Sequence, residues 1–532
     1  MSGFALGGAT VVGAATQWRV TELHFVAAAD YPDPFDTERA QLIAEFHGPN
    51  DRRLTVPGFW DGGRDWRVRF TPTVPGHWEY VTSFTNPSDD GLHARRGALE
   101  AGPPAEATSR LRRHGGFLRV SDDGRYLAHP DGAPFFWLGD TWWRAPSRFV
   151  PFDDFVRMVD QRAVQGFTVF QALGYAPFGT SQGVGVFRAT REVSDDVVAY
   201  WREVDRYLAY AEEKGLVGVI GLGGTSAFDA VDLPSLERLW RYYLARYSAY
   251  PITFLITQEY NSQAGDSAER FAKVRALGRL IRHLDPYQRA ISVHPAVSSI
   301  DDLRAWSEDW YGFGLLQGGH FSRVRCTTYE SLRARVPPRP VIQSEHNYEG
   351  FERGRFKVTA DEVRRTAYSA IQCGAYGYTY GAQGLYAGIT DTAATTPASK
   401  WGPLMTWDEA LGLPGAAQLR HLRAFYESVE WWKTEPWDSR HVSGDALVRS
   451  DGYSTLVVYF ATSSTDRAPT ILSGVPEGSR FAYAWFDPRT GACLDKKGMI
   501  VTKDRNLVLP ETPDRDDWSL RLRLLPTGTP AR

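Results

Sequence analysis

The pattern of hydrophobic and polar positions changes twice along the chain. Residues 18 to about 101 carry short alternating runs, WRVTELHF, QLIAEF, DWRVRFTPT and HWEYVTSF, with turn residues between them, as in FWDGGRDW. Alternation with a period of two marks half-buried strands, and short strands at regular spacing predict a β-sandwich. The segment AGPPAEAT, residues 101–108, reads as a linker.

From about residue 114 the apolar runs become continuous. FFWLGD (135–140), FTVFQAL (167–173), LVGVIGL (216–222), ITFLITQ (252–258), RAISVH (289–294), WYGFGLL (310–316), PVIQSE (340–345) and AYGYTYG (375–381) follow one another. Amphipathic stretches such as DDFVRMVDQRAVQ, LERLWRYYLARYS and TADEVRRTAYSAIQC separate them, and Thr359 with Glu362 gives the last a capping-box spacing. Uninterrupted apolar strands separated by helices mean a parallel sheet covered on both faces. Eight such units predict a (β/α)8 barrel. After about residue 440 alternation returns in ALVRSDGYSTLVVYFAT, FAYAWFDPRTGACL and WSLRLRLL. The expected fold is α/β: an N-terminal β-sandwich over 1–108, a central (β/α)8 TIM barrel over 109–435 and a C-terminal β-sandwich over 436–532.

Composition narrows the function classes. A net charge of −3 gives no electrostatic case for nucleic acid or an anionic membrane surface. No run of about 18 apolar residues predicts a membrane span. The three cysteines, Cys326, Cys373 and Cys493, are far apart and form no CxxC, so neither a disulfide framework nor a zinc site is expected. Reduced thiols in a cytoplasm are the plain reading, and the N-terminus lacks the basic start of a secretory signal. The chain holds 18 Trp, 25 Tyr and 28 Phe. Flat rings of this kind stack on sugars, although they also build β-sandwich cores.

Two carboxylates stand out. Glu259 follows the run ITFLITQ, and Glu345 closes PVIQSE. In a barrel of this kind chemistry gathers at the C-terminal strand ends, and the ends of strands 4 and 7 face each other there. A lone glutamate after a strand is ordinarily a surface ion pair or a cap. Two at these positions are instead the machinery of glycoside hydrolysis, one giving a proton and the other attacking the anomeric carbon. The substrate-binding set expected around them is Asp140, Trp142 and Trp143 after strand 1, and Gln171 and Tyr175 at strand 2. It continues with Gln258, Asn261, His294, Gln317, His320, His346, Tyr378 and Gln383. Trp142 and Trp143 are adjacent, so one of them packs away from the site. Asp140 either holds a sugar hydroxyl or orients Arg144. Long Gly-rich segments after strands 2 and 8, GYAPFGTSQGVGVF and GAQGLYAGITDTAATTPASKWG, supply the rim. GTSQG (179–183) matches G-x-S-x-G but lacks the strand–turn–helix context of a nucleophile elbow. GLGGTS (221–226) lacks the lysine of a phosphate loop.

The order of domains, the segment GGFLRVSDDGRYLAHPDGAPFFWLGDTWW and the later AYAWFDPRTG resemble the apiosidase-like glycoside hydrolases. That family is a barrel with an N-terminal sandwich and a C-terminal domain often labelled collagen-binding. It is similar in turn to the clan of retaining barrel hydrolases. The resemblance implies Glu259 as acid/base and Glu345 as nucleophile, with no metal or organic cofactor. It also implies a small carbohydrate or glycoside as the partner, a furanoside such as an apioside. An arabinofuranoside, fucoside or galactoside fits the sequence nearly as well, and the long rim segments suggest a pocket and exo action. One residue departs from the clan, which has Asn before the strand-4 acid where this chain has Gln258. A sugar-binding protein without turnover, a lyase and a transglycosylase are the rival readings. A homo-oligomer remains open.

Overall fold

The computed structural model describes residues 12–104, 109–147, 149–173, 193–262, 267–296, 304–393, 397–461 and 469–526. At its centre lie eight parallel strands: β1 (Trp137–Thr141), β2 (Val169–Leu173), β3 (Val217–Gly221), β4 (Ile252–Gln258), β5 (Ile291–His294), β6 (Gly314–Gly319), β7 (Val341–His346) and β8 (Gly377–Tyr380). Their order in space is β5-β4-β3-β2-β1-β8-β7-β6. The two end strands meet where the Gly312 amide donates to the Ile291 carbonyl at 2.8 Å and Ile291 bridges Tyr311 in parallel. That contact brings the sheet round into a barrel.

Side-chain alternation explains why these strands show no polar stripe. Trp137, Val169, Val219, Leu255, Leu315 and Ile342 pack together inside the barrel. Leu138, Phe170, Ile220, Phe254, Leu316 and Val341, each one residue away, belong to the layer between barrel and helices. Both faces are dry, so both must be apolar. The helices begin and end on local signals. The Ser194 hydroxyl accepts from the Val197 amide to start Asp195–Lys214, and Gly215 at φ +84° ends it. Thr359 caps Ala360–Cys373 by accepting from the Glu362 amide. The reciprocal bond of a full capping box is made at Thr406, where Glu409 returns to the backbone nitrogen.

Two expectations are corrected. Strand 6 lies at Gly314–Gly319 rather than 310–316. The aromatic run before it is apolar for another reason: Trp310 packs so closely on Gly278 that a Cβ there would meet its ring at 2.3 Å. Buried packing and strand look alike in sequence, and the shift puts Gln317 inside the strand. The cysteines also differ from the expectation. Cys326 and Cys373 form a disulfide with Cα atoms 4.7 Å apart, while Cys493 is free and exposed. The bond fastens the start of helix Cys326–Arg333 to the end of helix Ala360–Cys373. The bond corrects the expectation that these two thiols are reduced.

Each end of the barrel carries sheets. Before it, a five-stranded and a three-stranded sheet face each other, with Phe46 stacked on Phe70 at 3.9 Å. After it come a six-stranded and a two-stranded sheet around Trp485, Leu520 and Val458. The seams are charged and buried. Arg246 pairs with Asp61 at 2.8 Å and with Asp205 at 2.6 Å, and Arg364 pairs with Asp517 at 2.5 Å. Among the described residues no helix is long and apolar enough to cross a membrane. Nor, among them, does any group of three His, Cys, Asp or Glu side chains stand ready to hold a metal ion.

Glu212, on the helix that faces the N-terminal sheets, yields a stability prediction. Burial pushes its carboxyl up from 4.5 to about 7, against the opposing charges of Arg19 and Arg112. The folded chain therefore holds a proton that the unfolded chain releases near pH 4.5. This contribution is complete below that pH and is lost as pH rises through 7, an effect of about 3 kcal/mol. Glu212→Gln is expected to melt above the wild type at pH 8, with the gap closing at pH 5. Thermal unfolding at the two pH values checks it, and a gap independent of pH would refute it.

Candidate active site

The site forms where β4, β6 and β7 end. Glu259 follows the buried run of β4 and adopts a left-handed backbone, φ +52°. A residue with a Cβ adopts this conformation at a cost of about 1–3 kcal/mol, and only when its surroundings enforce it. Two bonds do so here. The Glu259 amide donates to the His294 carbonyl at 2.6 Å, and the Thr225 hydroxyl donates to the Glu259 carbonyl at 2.8 Å. Glu345 needs no such turn, since it lies within β7 and is 6% exposed.

Gln317 of β6 joins the two. Its Nε2 donates to Glu259 Oε1 at 3.1 Å and to Glu345 Oε1 at 2.8 Å. His320 Nε2 lies 3.5 Å from Glu345 Oε1, and His294 Nε2 lies 3.8 Å from Glu345 Oε2. His320 itself is seated among Tyr348, Phe351 and Trp401, with ring centroids 4.6–4.9 Å away. His294 meets Trp143 edge to face at 5.4 Å. Gly381, just past β8, lets Tyr348 in: a Cβ there would stand 2.4 Å from its ring.

These surroundings drive the two carboxyls apart. Burial, and then the charge of Glu345, push Glu259 above the usual carboxyl range, although the Gln317 bond and the charges of Lys400 and His320 pull the other way. Burial also works to raise Glu345. It is outweighed by the hydrogen bond from His320, the charges of His294 and His320 and the Gln317 amide, so Glu345 is held below the usual range. Burial holds the His294 imidazole down, against the pull of Glu345. One carboxyl is thus biased to keep a proton and the other to lose it, which is the division of labour that acid and nucleophile require.

Both glutamates open into a cavity of about 690 Å3. Trp143, Gln258, Gln317 and His320 line it with them. The other expected residues lie elsewhere. Asp140 is fully buried and takes a 2.6 Å bond from Arg162, while Arg144 turns to the Phe149 ring. Trp142 stacks on Phe170 at 5.4 Å and leaves the cavity to Trp143. Gln171 donates to the Ser344 carbonyl inside the barrel. Asn261 accepts from the Ala296 amide, and the Tyr378 hydroxyl donates to the His346 carbonyl. His346 turns to Ser322. Gln383 holds the loop after β8 through the carbonyls of Ala398 and Pro403. Tyr175 and GTSQG lie outside the described residues. Tyr348, Tyr386, Trp401 and four basic side chains also line the cavity and were not foreseen. Their only signal was membership of the segments after strands 1, 6, 7 and 8.

The family model described as "Apiosidase-like, catalytic domain" matches residues 121–433, and that described as "Domain of unknown function (DUF5060)" matches residues 14–85. Among solved structures, a Bacteroides vulgatus protein assigned as a glycoside hydrolase aligns over 96% of this chain and 100% of its own, at 17% identity and a TM-score of 0.72. A family 5 glycoside hydrolase from the same species covers 77% of this chain and 93% of its own, at 20% identity and a TM-score of 0.65. A further glycoside hydrolase covers 77% and 97%, at 21% identity and a TM-score of 0.65. No curated protein matches the chain in sequence. At these identities the structural likeness speaks to the fold, which is that of glycoside hydrolase barrels. The catalytic-domain match spans more than half of the sequence, and the chain belongs to the apiosidase-like family.

Proposed function

We propose that the chain is a retaining glycoside hydrolase, with Glu345 as nucleophile and Glu259 as acid/base. The observation that carries this reading is the double bond-making of Gln317 Nε2, which keeps the facing oxygens of both carboxyls within two hydrogen bonds of each other. Laid end to end, those bonds fall short of the roughly 6.5–9.5 Å between carboxyls that leaves room for water in an inverting enzyme, and suit the roughly 5–5.5 Å of a retaining one. In the first step the Glu259 proton passes to the leaving oxygen while a Glu345 oxygen bonds to the anomeric carbon, and the glycosidic bond breaks. In the second, ionised Glu259 takes a proton from water, whose oxygen displaces Glu345 from the sugar. Two inversions restore the starting configuration.

The family's description supports a furanoside of the apiose type. The cavity's volume, about 690 Å3, supports action on a small glycoside. The test is a panel of aryl furanosides and pyranosides in both anomers, with the product of the first turnovers read by proton NMR. Release of the substrate's own anomer is expected. Release of the opposite anomer would overturn the retaining assignment, an unsaturated product would make the enzyme a lyase, and binding without any cleavage would make it a sugar-binding protein.

A further inference from the structure

The cavity with the two glutamates is lined by four more charged side chains, Arg144, Arg325, Arg353 and Lys400, and all four are cationic. Among the described lining residues Glu259 and Glu345 are the sole carboxylates. This imbalance is local, since the chain as a whole carries −3. It also contrasts with several buried arginines. Arg69, Arg246, Arg289 and Arg364 each sit within 3 Å of an aspartate. Among the described residues, no carboxylate lies within ion-pair distance of the four cavity cations.

Three of the four, Arg144, Arg353 and Lys400, rest on aromatic rings. The Arg353 guanidinium lies 5.0 Å from the Phe321 ring and 5.9 Å from Trp401, Lys400 Nζ lies 4.9 Å from Trp401, and Arg144 lies 4.6 Å from Phe149. A ring orients a cation without neutralising it, which leaves its N–H donors for something else. Arg353 belongs to a rim hairpin, Glu352–Arg353 with Phe356–Lys357, whose Phe356 is 58% exposed and carries Arg355 against its face. Several like charges round one concave, partly dry wall raise a positive potential there, and guanidinium forks match a planar carboxylate or a sulfate oxygen pair.

We propose that the cavity selects an anionic sugar, a glycoside or oligosaccharide bearing a carboxylate or a sulfate ester, held by Arg144, Arg353 and Lys400 beside Glu259 and Glu345. The sugar part of this statement rests on the glycosidase reading, whereas the anion part rests on the four cations alone. It excludes glycosides that carry no charge on either side of the scissile bond as the preferred substrates, so a neutral furanose would be joined to an anionic remainder.

The test measures binding where no turnover interferes, in Glu345→Gln, with tryptophan emission as the readout because Trp143 and Trp401 line the cavity. The probes are glucuronate, trigalacturonate, glucose 6-sulfate, the matching neutral sugars and inorganic sulfate. At least one anionic sugar is expected to bind about tenfold or more tightly than its neutral partner, and to weaken as salt is raised. Adding Arg353→Ala and Lys400→Ala, both exposed positions, is expected to abolish that preference. Uronates alone binding would name a carboxylate, and the sulfated sugar alone a sulfate ester. Equal affinity for neutral sugars, a preference untouched by the two substitutions, or inorganic sulfate binding as well as the sugars would overturn the proposal. A neutral glycoside cleaved in preference by the wild type would overturn it and leave the hydrolase intact. An anionic sugar bound, with no glycoside cleaved by the wild type in either the neutral or the anionic series, would uphold it and count against the hydrolase.

Discussion

Glu345→Gln is expected to lower kcat/KM by about a thousandfold or more, the scale on which a covalent nucleophile is lost. The reason is chemical and not structural. Glutamine fills the same volume in β7 and keeps a carbonyl oxygen for the Gln317 amide, 2.8 Å from the native Oε1. What it lacks is the charge that attacks. Melting temperature should therefore hold or rise, because the substitution removes a buried charge that repels Glu259. A fall in rate together with a fall in stability would mean a structural role instead. Glu345→Ala with added azide separates the two further. The anion fits the space left by the carboxylate and should form a glycosyl azide of the configuration opposite to the substrate. Wild-type rates in Glu345→Gln would remove this residue from the mechanism, whatever the fold.

The barrel was legible because its strands are buried on both faces, so that continuous apolar runs stood out against amphipathic helices. β4 matches ITFLITQ to the residue. Strand 6 was displaced because Trp310 and Tyr311 are apolar through packing on neighbouring elements, a role that sequence cannot tell from strand. The carboxylates were legible for a topological reason: strand ends 4 and 7 come together in any such barrel. Their partners were less so. Gln317 was expected to meet sugar, and it meets both glutamates. His346 neighbours Glu345 yet turns to Ser322, since successive residues of a strand point to opposite sides. Asp140 faces helix Phe152–Val164 and its Arg162 for the same reason. The disulfide was hidden because Cys326 and Cys373 stand 47 residues apart and meet only once two helices dock. Arg353 and Lys400 come from segments after β7 and β8 whose charges, read alone, look like solvated surface.

Glu259→Gln should behave differently from the nucleophile variant, and the difference depends on the leaving group. A poor leaving group needs the Glu259 proton, so alkyl glycosides should lose about a hundredfold to ten-thousandfold, the range of general acid catalysis. An activated aryl group leaves without that proton. Glycosylation should then run near the wild-type rate, while hydrolysis of the Glu345 ester, which needs Glu259 as base, becomes slow. The expected trace is a burst of phenol followed by a low steady rate, relieved by azide with retention of configuration. The pH profile carries the same argument. Ionised Glu345 is required, and its carboxyl is held low, so the rate falls as pH drops through that low value. Protonated Glu259 is required, and burial with the Glu345 charge holds it high, so the rate falls as pH rises through that raised value. The wild type should show both limbs in kcat/KM. Glu259→Gln, assayed with the activated aryl glycoside, should keep the acid limb and lose the alkaline one. An alkaline limb that survives would assign it to another group, and the proton donor would have to be sought among the histidines beside Glu345.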